Sequence, residues 1–117
     1  MGQKVLVVDD DPAQLRLLWE ILSRSGYEPH PAADGIAALE KLRHNRYDLV
    51  VTDFNMPGLN GAQLAESVAE LSPETPVILL TGSIDVEPLP SQVSFVVRKP
   101  YLPDHLLDLL RSAMVGR

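Results

Sequence analysis

Four short, continuous runs of apolar residues predict strands that are buried on both faces. The runs are rich in β-branched side chains and occupy residues 5–8, 49–52, 77–80 and 95–97. A strand of a parallel sheet covered by helices has this pattern, whereas a half-exposed strand alternates apolar and polar residues. Residues 27–32 alternate only weakly and contain Pro29 and Pro31, which cannot donate to a ladder, so this segment predicts a strand at the edge of a sheet.

Between these runs, apolar residues recur at helical spacing and predict four helices. The first begins at Pro12 and ends before Gly26, the second opens at Asp34, Pro73 stops the third, and Pro103 starts the last. Their predicted core positions are Leu15, Leu18, Ile21 and Leu22; Ile36, Leu39 and Leu42; Leu64, Val68 and Leu71; and Leu106, Leu109, Leu110 and Ala113. A further helix within residues 83–92 would be short or distorted, because Pro88 and Pro90 interrupt it.

This order of elements predicts an α/β fold of the doubly wound class. Five strands that alternate with helices form a parallel sheet, and right-handed crossovers place helices on both of its faces. The length of 117 residues suits one domain, so residues 1–117 are expected to form a single unit.

Polar residues stand at the carboxyl ends of four predicted strands, where ligands bind in this class of fold. Asp9, Asp10 and Asp11 follow the first strand, and the other three positions are Asp53, Thr81 and Lys99. Three aspartates before a helix are often only its N-cap, and Asp53 alone could be a turn residue. Independent caps would not all fall at one edge of the sheet, so the set favours a site. Clustered carboxylates suit Mg²⁺, while a lysine and a threonine suit phosphate oxygens.

Composition narrows the classes of partner and chemistry. Ten Lys and Arg residues against sixteen Asp and Glu residues give a net charge of −6, which argues against direct binding of nucleic acid. The absence of cysteine excludes disulfides, thiolate nucleophiles and Cys-ligated metals. The apolar runs are far shorter than the roughly 18 residues that span a bilayer, and residues 1–4 lack a signal-peptide core, so a cytoplasmic domain without membrane contact is expected.

Four motifs in order resemble the response-regulator receiver domain of two-component signalling. They are Val7-Val8-Asp9-Asp10-Asp11, the stretch from Asp53-Phe54-Asn55-Met56-Pro57-Gly58 to Asn60-Gly61, Thr81-Gly82 and Lys99-Pro100. The resemblance covers the whole chain. It implies a flavodoxin-like sheet with strand order 2-1-3-4-5, which puts the proline-containing strand at an edge.

The resemblance also implies a role for each site residue. Asp53 would accept a phosphoryl group from a histidine kinase or a histidine phosphotransfer domain. Asp9, Asp10, Asp53 and the backbone carbonyl of Asn55 would hold Mg²⁺, with Mn²⁺ as the alternative ion. Lys99 would pair with the phosphoryl group, Thr81 would bond to it after transfer, and Lys99-Pro100 would be a cis peptide.

Two features depart from the family pattern. Val96 stands three residues before Lys99, where the family often has a Tyr or Phe that couples to the threonine, so the usual threonine–aromatic switch is not expected. The segment between Thr81 and Lys99 is short and broken by prolines. The family's common signalling surface on the fourth helix is therefore not expected in its usual form.

Two other functions stay open at this point. A small Mg²⁺-dependent phosphatase could use an aspartyl-phosphate intermediate on a similar sheet, but such enzymes usually carry an Asp where this chain has Asn55. A degenerate receiver could serve as a constitutive docking module, but the complete set of acidic residues, Thr81 and Lys99 argues against it.

Outside these motifs the expectations are ordinary. His30, His44 and His105 share no ligand spacing and are expected at the surface or sheet edge, and Trp19 is expected to be partly buried core. The last helix adds Leu102, Leu107 and Met114 to its apolar stripe, which could support a weak homodimer.

Overall fold

The computed structural model describes residues 2–82 and 89–115. The strands are β1 (Lys4–Val8), β2 (Glu28–Ala32), β3 (Leu49–Asp53), β4 (Val77–Thr81) and β5 (Val93–Arg98). The helices are α1 (Pro12–Arg24), α2 (Gly35–His44), α3 (Gly61–Leu71) and α4 (Pro103–Val115). The predicted order of strands and helices is therefore confirmed, with element ends shifted by a residue or two.

All strand pairs are parallel, and the sheet order is β2-β1-β3-β4-β5. This confirms the doubly wound, flavodoxin-like class and places β2 at an edge, as its prolines predicted. Glu28 donates its amide to Gln3, and Ala32 accepts from the amide of Asp9, so alternate residues of β2 bond toward β1. Pro29 and Pro31 occupy the intervening positions, where a missing amide removes no bond to β1.

Each face of the sheet has its own apolar core. On one face, Val5, Val7 and Val51 pack with Leu18 and Leu22 of α1 and with Leu106 and Leu110 of α4. On the other face, side chains of the same strands pack with Ala38 and Leu42 of α2 and with Leu64 and Val68 of α3. Helices therefore cover both faces, which explains why the central strands are continuous apolar runs.

Capping residues set where the helices begin. Asp11 caps α1, where its carboxylate accepts from the amides of Ala13 and Gln14, and Pro12 occupies the first turn. Asp34 caps α2, and Asn60 forms a capping box with Gln63 at the start of α3. The helix starts at Pro12 and Asp34 were predicted from these local signals.

Two predicted core residues lie at the surface instead. The buried face of α2 runs through Gly35, Ala38 and Leu42, because Gly35 packs against the backbone of Leu59; Ile36 points away and is 64% exposed. Leu71 follows the buried stripe of α3 but is the last residue of the helix and borders an open pocket, so it is 46% exposed.

Trp19 was expected in the core but is exposed, and Met114 was expected at the surface but is buried. Trp19 is 41% exposed, because α1 turns Leu18 and Leu22 inward and leaves Trp19 in an open groove beside Pro31. Met114 is buried in the core that α4 shares with β1 and β3, so it is not part of a contact surface. Leu102 remains strongly exposed and Leu107 half-buried, so the apolar surface of the last helix is narrower than expected.

The expected short helix between β4 and β5 falls largely on residues 83–88, which lie outside the described residues. The described residues 89–92 contain no helix and lead directly into β5. Among the described helices, none is long and apolar enough to span a bilayer.

Candidate functional site

The predicted site residues lie at the carboxyl edge of four neighbouring strands. Asp9 follows β1, Asp53 ends β3, Thr81 ends β4, and Lys99 follows β5. Because β1, β3, β4 and β5 are adjacent in the sheet, their ends bring these residues to one place. The central strands are buried, so these side chains project from the ends of well-packed strands.

Asp9, Asp10 and Asp53 form a compact acidic cluster. One carboxylate oxygen of each lies within 4.8 Å of the others. Asp9 and Asp53 are buried, while Asp10 is exposed. The run of three aspartates therefore divides between two tasks: Asp11 caps α1, whereas Asp9 and Asp10 join Asp53.

Lys99 reaches into this cluster from β5. Its ammonium nitrogen lies 2.9 Å from Oδ1 of Asp53 and 3.5 Å from Oδ2 of Asp9. The Lys99-Pro100 peptide is cis, as expected, and the Lys99 amide donates to the carbonyl of Thr81 at 2.8 Å. The lysine is thus tied to the end of β4 while its side chain bridges two buried carboxylates.

Burial and neighbouring charges both shift the pKa values of Asp9 and Lys99. It raises the pKa of Asp9 above its ordinary value by more than the Asp11 amide and Lys99 lower it, and the nearby charge of Asp53 adds to the rise. For Lys99, burial lowers the pKa, but the hydrogen bond that its ammonium donates to Asp53 and the charges of Asp9 and Asp53 outweigh burial and leave the pKa raised. The Lys99 ammonium therefore stays protonated at neutral pH, and the cluster as a whole is negatively charged.

This cluster fits a hard divalent cation. Three carboxylates against one ammonium leave a net negative charge, and like charges at this spacing favour a bound counter-charge. All the side-chain donors are oxygens, which Mg²⁺ and Mn²⁺ prefer. Asn55 is exposed and lies two residues after Asp53, in the loop that follows the carboxyl end of β3.

The backbone around Asp53 is closely held. The Phe54 amide donates to the Leu80 carbonyl at 2.8 Å, and the Gly61 amide donates to the Phe54 carbonyl at 2.9 Å. A Cβ atom at Gly61 would lie 2.6 Å from the Asp53 carbonyl oxygen, so only glycine allows α3 to start so close to β3. The hydroxyl of Thr52 donates to that same carbonyl at 3.0 Å.

Comparison with known proteins identifies the family. The sequence model of one protein family, the response regulator receiver domain, matches residues 5–111. The chain belongs to the response regulator receiver domain family. The DNA-binding response regulator MtrA of Mycolicibacterium smegmatis is 34% identical over 118 residues, which cover 97% of this chain and 51% of that protein. Transcription factor SKN7 of Saccharomyces cerevisiae is 34% identical over 93% of this chain and 18% of its own length.

Solved structures of receiver domains have the same fold. A CheY-like receiver domain protein from Methanospirillum hungatei JF-1 has a TM-score of 0.93 and 28% identity, covering 99% of this chain and 96% of that chain. Response regulator protein TrrA from Thermotoga maritima, in complex with Mg(2+)-BeF, has a TM-score of 0.88 and 32% identity, covering 95% of this chain and 98% of that chain. The chain thus spans nearly all of these structures, but only about half of MtrA and a smaller share of SKN7.

Thr81 and Val96, the two residues that bear on the expected switch, lie on neighbouring strands of this receiver domain. Thr81 is buried and ends β4, one residue beyond Leu80, which pairs with Asp53. Val96 on β5 is 37% exposed, so the position where the family often has an aromatic ring carries a small side chain at the surface.

Two residues near the site carried no signal in the sequence. Tyr101 lies beside Lys99 in a groove with Leu17 and Ile21, and burial raises its pKa. Thr52 is buried and bonds to the Asp53 carbonyl, but a threonine inside an apolar strand reads only as a strand former. The first contact depends on how α1 lies against the segment that follows β5, and the second depends on where the β1–β3 pairing ends, so neither can be inferred from the sequence.

Proposed function

We propose that this receiver domain is the phosphoacceptor of a two-component phosphorelay and that Asp53 takes the phosphoryl group. The observation that carries this proposal is the position of Lys99, whose ammonium lies 2.9 Å from Asp53 within a cluster of three carboxylates. The proposed donor is a histidine kinase or a histidine phosphotransfer domain. We further propose that residues 1–117 act as one such domain, since the family match already covers residues 5–111.

The carboxylate of Asp53 supports nucleophilic attack without a base. In the transfer, one of its oxygens bonds to phosphorus while the bond from phosphorus to the donor's imidazole nitrogen breaks, and the imidazole leaves with the bonding electrons. The Lys99 ammonium beside Asp53 offsets repulsion between the carboxylate and the incoming phosphoryl oxygens. After transfer, Lys99 would pair with the phosphoryl group.

The acidic cluster supports a role for Mg²⁺, or Mn²⁺ in its place. Asp9, Asp10, Asp53 and the backbone carbonyl of Asn55 are the proposed ligands. When bound, the ion neutralises charge on the phosphoryl oxygens. Removing Asp10, the exposed member of the cluster, should therefore weaken binding of the ion without disturbing the core.

We propose that phosphorylation acts as a switch through Thr81. The new phosphoryl group would accept a hydrogen bond from the Thr81 hydroxyl and shift the Gly82 backbone, since a charge-assisted bond can bias a loop between two arrangements. With Val96 in place of an aromatic ring, the change around β5 is expected to be small. The chain is a substrate and switch rather than a phosphatase, because Asn55 offers no acid or base two residues after Asp53.

Incubation with acetyl phosphate and Mg²⁺ tests the acceptor. Intact mass should show one added phosphoryl group in the wild type and none in Asp53→Asn. Asp11→Asn is the matched control, since it changes an aspartate of the same run that caps α1 and lies outside the cluster. A stable adduct that survives in Asp53→Asn would overturn the assignment, and steady turnover of a phosphomonoester would favour a phosphatase.

A further inference from the structure

The Asp53 carbonyl lies where the sheet no longer provides a partner. The pairing of β1 with β3 ends at Val8 opposite Thr52, one residue before Asp53. On the other side, the Phe54 amide continues the pairing with β4 by bonding to the Leu80 carbonyl. The Asp53 peptide therefore sits at the point where β3 leaves β1 but still follows β4.

The hydroxyl of Thr52 provides the hydrogen bond that β1 no longer gives to the Asp53 carbonyl. Its Oγ1 atom donates to the Asp53 carbonyl at 3.0 Å, and both atoms are buried. Thr52 is fully buried, so water cannot replace this bond cheaply. The start of α3 also lies close to this carbonyl, since a Cβ atom at Gly61 would be 2.6 Å from the oxygen.

We propose that Thr52 is a positioning residue for the phosphoacceptor: its hydroxyl fixes the Asp53 peptide and thereby aims the Asp53 carboxylate at Lys99 and the acidic cluster. This rests on the proposed function of Asp53. Rotation of the Asp53 peptide would move the carboxylate away from the 2.9 Å contact with Lys99 and would displace the Asn55 carbonyl two residues on. Reactions that depend on orientation are sensitive to displacements of this kind.

Thr75, which precedes β4 at the amino ends of the strands, provides a matched control. Thr75 is also buried, and its Oγ1 atom donates to the Tyr47 carbonyl at 3.1 Å. Thr52→Val and Thr75→Val each replace a buried hydroxyl that bonds to a backbone carbonyl with a methyl group of similar size. The Thr75 hydroxyl also contacts the Ser72 hydroxyl at 2.6 Å, so Thr75→Val should lose at least as much stability as Thr52→Val, but only Thr52 contacts the phosphoacceptor.

The first measurement is made on the metal-free protein and does not depend on phosphorylation. Carbon and amide NMR signals of residues 53–55 should shift or broaden in Thr52→Val, and protection of the Phe54 amide from hydrogen exchange should fall. Thr52→Ser, which keeps the hydroxyl, should restore both. Thr75→Val should leave these signals unchanged.

The second measurement is the rate of phosphorylation by acetyl phosphate with Mg²⁺. We expect Thr52→Val to lower the second-order rate constant about fivefold, the effect of one buried hydrogen bond on the aligned state. Thr52→Ser and Thr75→Val should stay near the wild-type rate. If Thr52→Val does not fold, Thr52→Ala against Thr52→Ser makes the same comparison, because both lack the methyl group and only serine keeps the donor.

The outcomes separate the two proposals. A wild-type rate and unchanged signals in Thr52→Val, together with a loss of stability, would show that Thr52 supports the fold alone. If the wild type takes up no phosphoryl group, the proposed function fails, and the NMR comparison in the metal-free protein still decides whether Thr52 positions Asp53.

Discussion

Burial of the Asp9 carboxylate lowers the stability of the metal-free protein at neutral pH. This carboxylate is 3% exposed and faces Asp53, and burial raises its pKa above the ordinary value of 3.8. A carboxyl group whose pKa is raised by folding favours the folded state at low pH, and this contribution is lost as the pH rises through the folded pKa. At neutral pH the charged Asp9 therefore destabilises the metal-free protein.

We predict that Asp9→Asn stabilises the metal-free protein at pH 7, because the substitution removes a charge that burial disfavours and that lies close to the charge of Asp53. The amide keeps an acceptor for the Asp11 amide, which now bonds to Oδ1 of Asp9 at 2.9 Å. Urea unfolding at pH 7 and pH 3 measures the difference, which should shrink at pH 3, where the carboxyl is protonated in both states. Asp10→Asn, at an exposed position, should change stability much less; a loss of stability in Asp9→Asn at pH 7 would contradict the account.

Lys99 competes with any cation for the same carboxylates. We predict that Lys99→Met raises the affinity for Mg²⁺ in the absence of phosphate by about fivefold, because it removes a positive charge 2.9 Å from Asp53. The same variant should slow phosphorylation, since no ammonium then offsets the charge of the phosphoryl group. Calorimetric titration measures the first effect and intact mass over time the second.

Arg98→Met is the matched control for Lys99→Met. Arg98 is the preceding residue, ends β5 and is exposed, so its replacement removes the same charge outside the cluster. Weaker binding of Mg²⁺ by Lys99→Met would show that the lysine orders the carboxylates more than it repels the ion.

The junction between β3 and α3 depends on one small residue. We predict that Gly61→Ala lowers the free energy of unfolding by about 2 kcal/mol, because its Cβ atom would lie 2.6 Å from the Asp53 carbonyl oxygen and 2.8 Å from the Leu79 side chain. Gly82→Ala is the control, since a Cβ atom there meets nothing within 4 Å. Chemical denaturation of both variants makes the comparison, and equal stability of the two would show that α3 can move away from β3 without penalty.

The helices show where sequence patterns stop being informative. Periodicity identified which elements are helical and most of their buried residues, such as Leu18, Leu64 and Leu106. It could not tell how far each buried stripe extends around the helix, because that depends on the neighbour. The close approach of Gly35 to Leu59 rotates α2 and exposes Ile36, and the edge position of β2 leaves Trp19 in an open groove.

The assembled sheet explains why the site itself was more predictable than the helix surfaces. Residues that end parallel strands must meet at one edge, so Asp9, Asp53 and Lys99 could be grouped before any contact was known. The strand order came from the resemblance to receiver domains, and the structure confirms it. The bond from Thr52 to Asp53 was not predictable, because it depends on where the β1–β3 pairing ends.

Because the acidic cluster is part of the folded sheet and not of the unfolded chain, Mg²⁺ should stabilise the protein as a whole. At ten times the dissociation constant, binding adds about 1.4 kcal/mol. Thermal unfolding should therefore shift upward with Mg²⁺ at constant ionic strength and return after chelation.

Two variants define that measurement. Asp10→Asn removes one member of the cluster and should abolish most of the shift, whereas Asp11→Asn keeps the cap of α1 and should retain it. A shift of equal size in Asp10→Asn would place the ion elsewhere.

The prolines of β2 also affect how copies of this protein meet one another. An open sheet edge offers amides and carbonyls to any extended chain, and such edges seed aggregation. On β2, the two positions that alternate with the residues bonded to β1 are Pro29 and Pro31, so the outer side lacks two of the donors that an added strand would need. In concentrated solution, β2 should therefore be a poor template for intermolecular sheets. The prolines that weaken the strand pattern in the sequence also disfavour the addition of another strand to β2.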